Sequence, residues 1–158
     1  MISKGESDKI EFKSSFRYDV ENGKADKNLE FECIKTIAAF LNSEGGTLFI
    51  GVEDKKGIIG LETSDFLTFS RPDKIDEWRK NFDNKLENSF NNSIHALINL
   101  QFVVIDNKTI AIVTISSSPN EIWITNNKGV EELYIRRMAS SKALQGQEIT
   151  QYIKLHWK

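Results

Sequence analysis

The sequence predicts an α+β fold, a mainly antiparallel sheet flanked by helices, and three observations carry that prediction. Residues 28–41 and 74–90 repeat apolar side chains at three- and four-residue spacing, the period of a helix with one buried face. Residues 100–105 and 109–115 are rich in β-branched side chains and are joined by Asp106-Asn107-Lys108, a turn tolerant of left-handed backbone. Residues 47–52, TLFIGV, form a near-continuous apolar run that fits a strand covered on both faces.

The elements follow in chain order. Ile10 and Phe12 alternate with Glu11 and Lys13, which predicts a short strand. Residues 17–26 are polar and contain Asn22-Gly23, so they read as a loop or hairpin tip. Asn28 is placed to cap a central helix whose wide apolar face comprises Leu29, Cys33, Ile34, Ile37, Ala38 and Leu41. Gly45-Gly46 stops that helix ahead of the strand at 47–52. Residues 53–57 turn the chain, and Ile58, Ile59 and Leu61 return it as a hairpin.

Residues 66–72 read as an irregular connection, and 74–90 as an amphipathic helix carrying Ile75, Trp78, Phe82, Leu86 and Phe90. After the pair of strands at 100–105 and 109–115 come strands at 122–124 and 133–136, separated by a turn at 126–129. Residues 147–155, with Ile149 and Ile153, close the chain as a helix.

At 158 residues, 39% hydrophobic and 28% charged, the chain has the size and composition of one globular domain spanning residues 1–158. The first residues, MISKGESDK, contain no apolar signal region, and no apolar run is long enough to span a bilayer, so the expected location is cytoplasmic. A single cysteine, Cys33, excludes an internal disulfide and a cysteine-based zinc cluster. A net charge of −2 lacks the global basic signature of many nucleic-acid binders, so local patches must carry any such function.

Three sets of residues could carry chemistry. Glu6 and Glu11 are five apart, and carboxylates are natural oxygen ligands for Mg²⁺ or Mn²⁺, ions that assist phosphodiester cleavage. In a chain with 23 acidic residues such a pair also arises by chance, as solvated surface. Asp54, next to Glu53, sits in the turn after a strand, a rigid support for a functional group, although turns also favour Asp for local hydrogen bonding. Lys13 and Arg17 near the start, and Arg136, Arg137 and Lys142 beside Ser140 and Ser141, are the side chains that contact phosphate oxygens without reading bases. Solvated charges flanking a strand are the ordinary alternative. His95 and His156 lack ligand-like spacing, and the Walker pattern GxxxxGK[ST] is absent.

The segments GESDKIEFKSS, IAAFLNSEGGTLFIGVEDKKGIIGLE, LYIRRMASSKAL and ITQYIKLHW together resemble the Schlafen-type AlbA-like domain, in the family's order and over nearly the whole chain. The resemblance implies nucleic-acid binding, to RNA or DNA, and for some members a metal-dependent endoribonuclease activity on structured RNA such as transfer RNA. It implies that Glu6, Glu11 and Asp54 are catalytic ligands of Mg²⁺ or Mn²⁺, with Glu53 a possible substitute for Asp54.

It further implies phosphate contact through Lys13, Arg17, Arg136, Arg137, Ser140, Ser141 and Lys142. One departure is at the basic end, where Met138-Ala139-Ser140-Ser141 replaces the family's Gly-Asn-Ser-Thr type segment, which alters the turn. Schlafen nuclease cores resemble two such lobes around a cleft, so a homodimer, or a module of a larger protein, is the expected context. Similar domains have also been read as ATP-binding modules, and a non-catalytic interaction or regulatory domain is the remaining alternative.

Overall fold

The computed structural model describes residues 2–91 and 93–157. Strand β1 (Ile10–Lys13) leads into a small hairpin of β2 (Tyr18–Asp19) and β3 (Lys24–Ala25), then helix α1 (Lys27–Leu41). Strand β4 (Gly46–Ile50) follows, and β5 (Val52–Glu53) pairs with β6 (Gly57–Ile58) in a second hairpin. Helix α2 is Lys74–Ser89. The long strands β7 (Ile98–Ile105) and β8 (Lys108–Ile115) come next. The chain ends in two short antiparallel pairs, β9 (Ile124–Thr125) with β10 (Glu131–Glu132) and β11 (Tyr134–Arg137) with β12 (Ser140–Ala143), and helix α3 (Gln147–His156).

The central sheet has the order β1-β4-β8-β7. Its β4-β8 and β8-β7 pairs are antiparallel, whereas β1 lies parallel to β4 with Glu11 opposite Leu48. Parallel neighbours need a crossover, and α1 supplies it, which is why the central helix stands between these two strands in sequence. One sheet face, with Leu48, Ile50, Ala111 and Val113, meets α1 and α2 in the main core. The other carries Phe12, Phe49 and Ile110, covered by Val52 and Ile58 of the second hairpin and by Ile2. Among the described residues no helix is long and apolar enough to cross a membrane.

Local chemistry explains where the boundaries fall. The cap of α1 is Asp26 rather than Asn28: Asp26 has extended backbone and its carboxylate accepts from Asn28 N, so Asn28 becomes part of the first turn. Gly45, at φ +76°, ends the helix, and a Cβ on Gly46 would strike the Phe40 ring. The strand predicted over 47–52 is interrupted, because Gly51 adopts φ +103° and redirects the chain into the β5-β6 hairpin. The turn between β7 and β8 places Asp106 and Asn107 at φ 52° and 64°, the left-handed pair that a two-residue hairpin requires.

The strand predicted over 122–124 forms only from Ile124. Ile122 instead has its backbone N–H and C=O bonded to the buried side chain of Asn42, at 2.8 Å each. The same amide reaches Tyr134 O at 2.9 Å, so Asn42 clamps two segments to the end of α1. Strand β12, unanticipated from the sequence, completes a hairpin whose tip residue Met138 has φ 55°.

Candidate functional site

Strand alternation decides which basic residues meet the acids. In β11 successive side chains face opposite ways. Arg136 turns toward α1, its guanidinium 5.0 Å from the centre of the Phe40 ring, whereas Arg137 is exposed on the α3 side. The Arg136 side chain is only 1% exposed and its Nη1 pairs with Glu11 Oε1 at 2.9 Å. Its Nη2 donates to the carbonyls of Ser7 and Ile10, at 2.8 and 3.1 Å, and its backbone N donates to Ser43 Oγ. Ser141, opposite Arg136 in the hairpin, accepts from Nη1 at 3.4 Å.

Glu6 joins this centre from the other side. Its Oε1 accepts from Phe12 N at 3.1 Å, and the carboxyl shares a hydrogen bond with Glu11. Burial pushes the Glu6 pKa up to about 7, aided by that shared hydrogen bond and by the negative charges of Glu11 and Asp54. Glu11 is pulled the other way. Burial works to raise it, but the hydrogen bonds from Glu6 and Arg136, with Lys13 nearby, hold it below the usual carboxylate value. A proton between Glu6 and Glu11 thus sits on Glu6.

Asp54 lies at the tip of the β5-β6 hairpin, exposed, close enough to Glu6 to act on its charge. With Glu6 and Glu53 it lines a cleft of about 780 Å³ that also holds Lys4, Lys55 and Lys56 and reaches Ala139 at the tip of the β11-β12 hairpin. Sequence reasoning missed the three lysines. Lys55-Lys56 directly follows Asp54, so the signal was local charge next to a candidate acid; Lys4 gave none.

The remaining basic candidates divide. Lys13 acts on Glu11 from within β1. Arg17 is held elsewhere: Nη1 bonds Asn81 of α2 at 2.8 Å, and the guanidinium lies 5.8 Å from the Phe69 ring. Arg137 and Lys142 both approach Glu148 of α3, at 3.9 and 3.6 Å, two exposed cations sharing one carboxylate. Ser140 Oγ bonds Arg137 O and closes the tip. The loss of glycine at this tip leaves the turn in place, because Met138 itself takes the left-handed conformation, with its side chain in solvent.

The donor chemistry bears on Mg²⁺ or Mn²⁺. Hard cations need several ionised oxygens converging at about 2.0–2.6 Å. Here Glu11 is neutralised by Arg136 and Glu6 retains a proton near neutral pH. Among the described residues no group of three or more His, Cys, Asp or Glu side chains is arranged to hold a metal ion. In this arrangement Glu6, Glu11 and Asp54 do not fit such an ion.

The family model for Schlafen, AlbA_2 matches residues 6–145. The chain belongs to this family. The matched span takes in Glu6, Glu11, Asp54, Arg136 and the whole β11-β12 hairpin of the centre just described, with Lys4 and Glu148 outside it, and membership connects the chain with a nucleic-acid-related function. Among solved structures, the DIP2311 protein from Corynebacterium diphtheriae is similar over 96% of this chain, with a TM-score of 0.61 and 16% identity. That likeness shows the fold alone, and this Schlafen AlbA_2 chain spans 28% of that chain's length. No curated protein sequence matches it.

Proposed function

We propose that the chain is a nucleic-acid-binding domain that grips the phosphate backbone of RNA or DNA along the path from the lysine-bearing cleft to the β11-β12 hairpin. The observation that carries this reading is the cleft itself. Lys4, Lys55 and Lys56, from two distant segments, converge in one concave surface of about 780 Å³ whose rim reaches the hairpin. On the hairpin, Arg137 and Lys142 carry more positive charge than Glu148 neutralises. Cations on flexible stems contact phosphates without reading sequence. Lys13, Ser140 and Ser141 extend the set, whereas Arg136 acts as a positioning residue, since its fork is occupied by Glu11 and two carbonyls. Charge reversal at Lys55 and Lys56 is expected to weaken transfer RNA binding at least about tenfold, read by fluorescence anisotropy; unchanged affinity counts against the cleft.

Metal-dependent endoribonuclease activity on structured RNA, transfer RNA included, is the second reading. Its support is the placement of Glu6 and Asp54 in the same cleft as the lysines, with Glu11 behind them, and it requires an arrangement other than the one seen, in which Arg136 occupies Glu11 and Glu6 holds a proton. The test is incubation of transfer RNA with Mn²⁺ or EDTA, beside an Asp54→Asn variant. Asp54 is exposed, so the substitution leaves the core intact. Cleavage that needs Mn²⁺ and fails in the variant supports the reading; identical patterns in all arms remove it and leave the binding domain. A homodimer belongs to the same proposal, supported by a shallow apolar depression where Ile2 and Ser3 meet Thr47, Phe49, Ile112 and Thr114 of the sheet, and is read by light scattering of the purified chain.

A further inference from the structure

The N-terminal half of α1, the C-terminal end of α2 and the segment around β9 enclose a separate cavity of about 300 Å³. Its walls include Lys27, Lys85, Asn88, Asn91, Trp123 and Asn127. In a chain whose 23 acidic residues outnumber its 21 basic ones, none of the described residues lining this cavity is acidic. Two lysines, one from each helix, therefore border one volume with no carboxylate in its walls. Among the described residues neither lysine has an ion-pair partner.

The rest of the lining is matched to something planar and polar. Trp123 is half-buried and packs against the small cluster of Leu133, Ile135 and Leu144, which restricts its motion at the cavity wall. Asn127 is fixed by a 3.2 Å hydrogen bond to Asn28 Oδ1. An amide presents both a donor and an acceptor, the combination that pairs with the edge of a nucleobase. An aromatic face accepts any base, and an ammonium is a point-charge phosphate binder. The volume is at the lower limit of ligand cavities, about 300 to 1,000 Å³, which leaves room for one nucleotide and excludes a duplex.

We propose that this cavity binds a nucleoside monophosphate unit, with the phosphate between Lys27 and Lys85, the base against Trp123 and its edge toward the asparagine amides. The unit can come from a free nucleotide or from the 5′-phosphorylated end of a single strand. The cavity adjoins Lys27, Phe31 and Ile34 of α1, whereas Arg136 stacks over Phe40 near that helix's other end, so the two sites share no side chain.

Calorimetric titration of the full chain with adenosine 5′-monophosphate, adenosine, inorganic phosphate, and a tetra-adenylate with and without a 5′-phosphate tests the proposal. Adenosine 5′-monophosphate, or the phosphorylated tetramer, is expected to bind at least about tenfold more tightly than its unphosphorylated counterpart and than phosphate alone. Binding by the mononucleotide identifies a free ligand, and binding by the tetramer alone identifies a strand end; both support the site. The surface pair Lys27→Ala with Lys85→Ala should lose that preference while keeping the wild-type melting curve, and Asn91→Asp should weaken binding by placing a negative charge in the wall. No binding by either phosphorylated probe overturns the proposal. So does affinity that survives both variants, or phosphate binding as tight as the nucleotide. None of these substitutions touches Lys55, Lys56, Arg137 or Lys142, so failure here is distinct from failure of the backbone-binding surface.

Discussion

At the scale of residues, the Glu6–Glu11–Arg136 centre makes two predictions. Glu6 has a folded pKa raised from 4.5 to about 7, so the folded state holds a proton that the unfolded chain has released across that window. Stability from this group is complete below about pH 4.5 and is lost as pH rises to about 7. Melting temperatures of the wild type should accordingly fall across this window relative to Glu6→Gln, which has no proton to lose; parallel pH profiles for the two proteins contradict the assignment. Arg136 is the second case. Arg136→Met keeps the bulk of the side chain but leaves the carboxylate of Glu11 buried without its cation, at a cost of about 3–5 kcal/mol in urea unfolding. Adding Glu11→Leu should recover part of that loss, because a buried pair replaced as a unit leaves no orphaned charge. A loss below about 1 kcal/mol for the single variant would show that the pair contributes little. Cys33, by contrast, is inert: burial pushes its thiol far above the usual value, as suits a small core side chain.

At the scale of elements, Asp65 ties the β2-β3 hairpin to α2. Its carboxylate accepts from the backbone of Phe16, Arg17 and Tyr18 at 2.7, 2.9 and 3.0 Å, and from Trp78 Nε1 at 2.8 Å. The tie orders the rings beside it, with Phe16 5.5 Å from Trp78 and 5.3 Å from Phe82, and Trp78 stacked on Phe82 at 5.0 Å. Asp65→Ala orphans these donors, each costing about 1–3 kcal/mol, so a loss of at least about 3 kcal/mol is expected, with faster amide exchange at residues 16–18. Protection unchanged at those amides would contradict the role. The sequence shows why such ties escape notice. Periodicity made α2, β7 and β8 legible, and the left-handed turn at Asp106-Asn107 was readable from residue type. Asp65 and Asn42 carry no periodic signal, since their work is to bond backbone 47 to 92 residues away. Strand β12 was hidden for a related reason: Ser140 to Ala143 are poor strand formers by type and pair only because β11 lies beside them.

At the scale of the whole molecule, residues from both ends of the chain are gathered at one edge of the sheet. Glu6 and Glu11 could be named as a pair from spacing and resemblance, but that Arg136 would be buried against Glu11, 125 residues away, depends on strand alternation in a hairpin the sequence only half revealed. Arg136, read as a phosphate contact, is instead internal, and the exposed cations of the cleft and hairpin are Lys4, Lys55, Lys56, Arg137 and Lys142. A protein with net charge −2 can bind a polyanion only through such local concentration, and the binding must then be strongly salt-dependent. The most direct measurement is the affinity for a fluorescein-labelled RNA hairpin as a function of NaCl, for the wild type and for Arg137→Ala with Lys142→Ala. Log–log linear weakening with salt is expected, with a slope reduced by about 1 for each phosphate contact removed. No binding at low salt, or an identical slope in the variant, would contradict it.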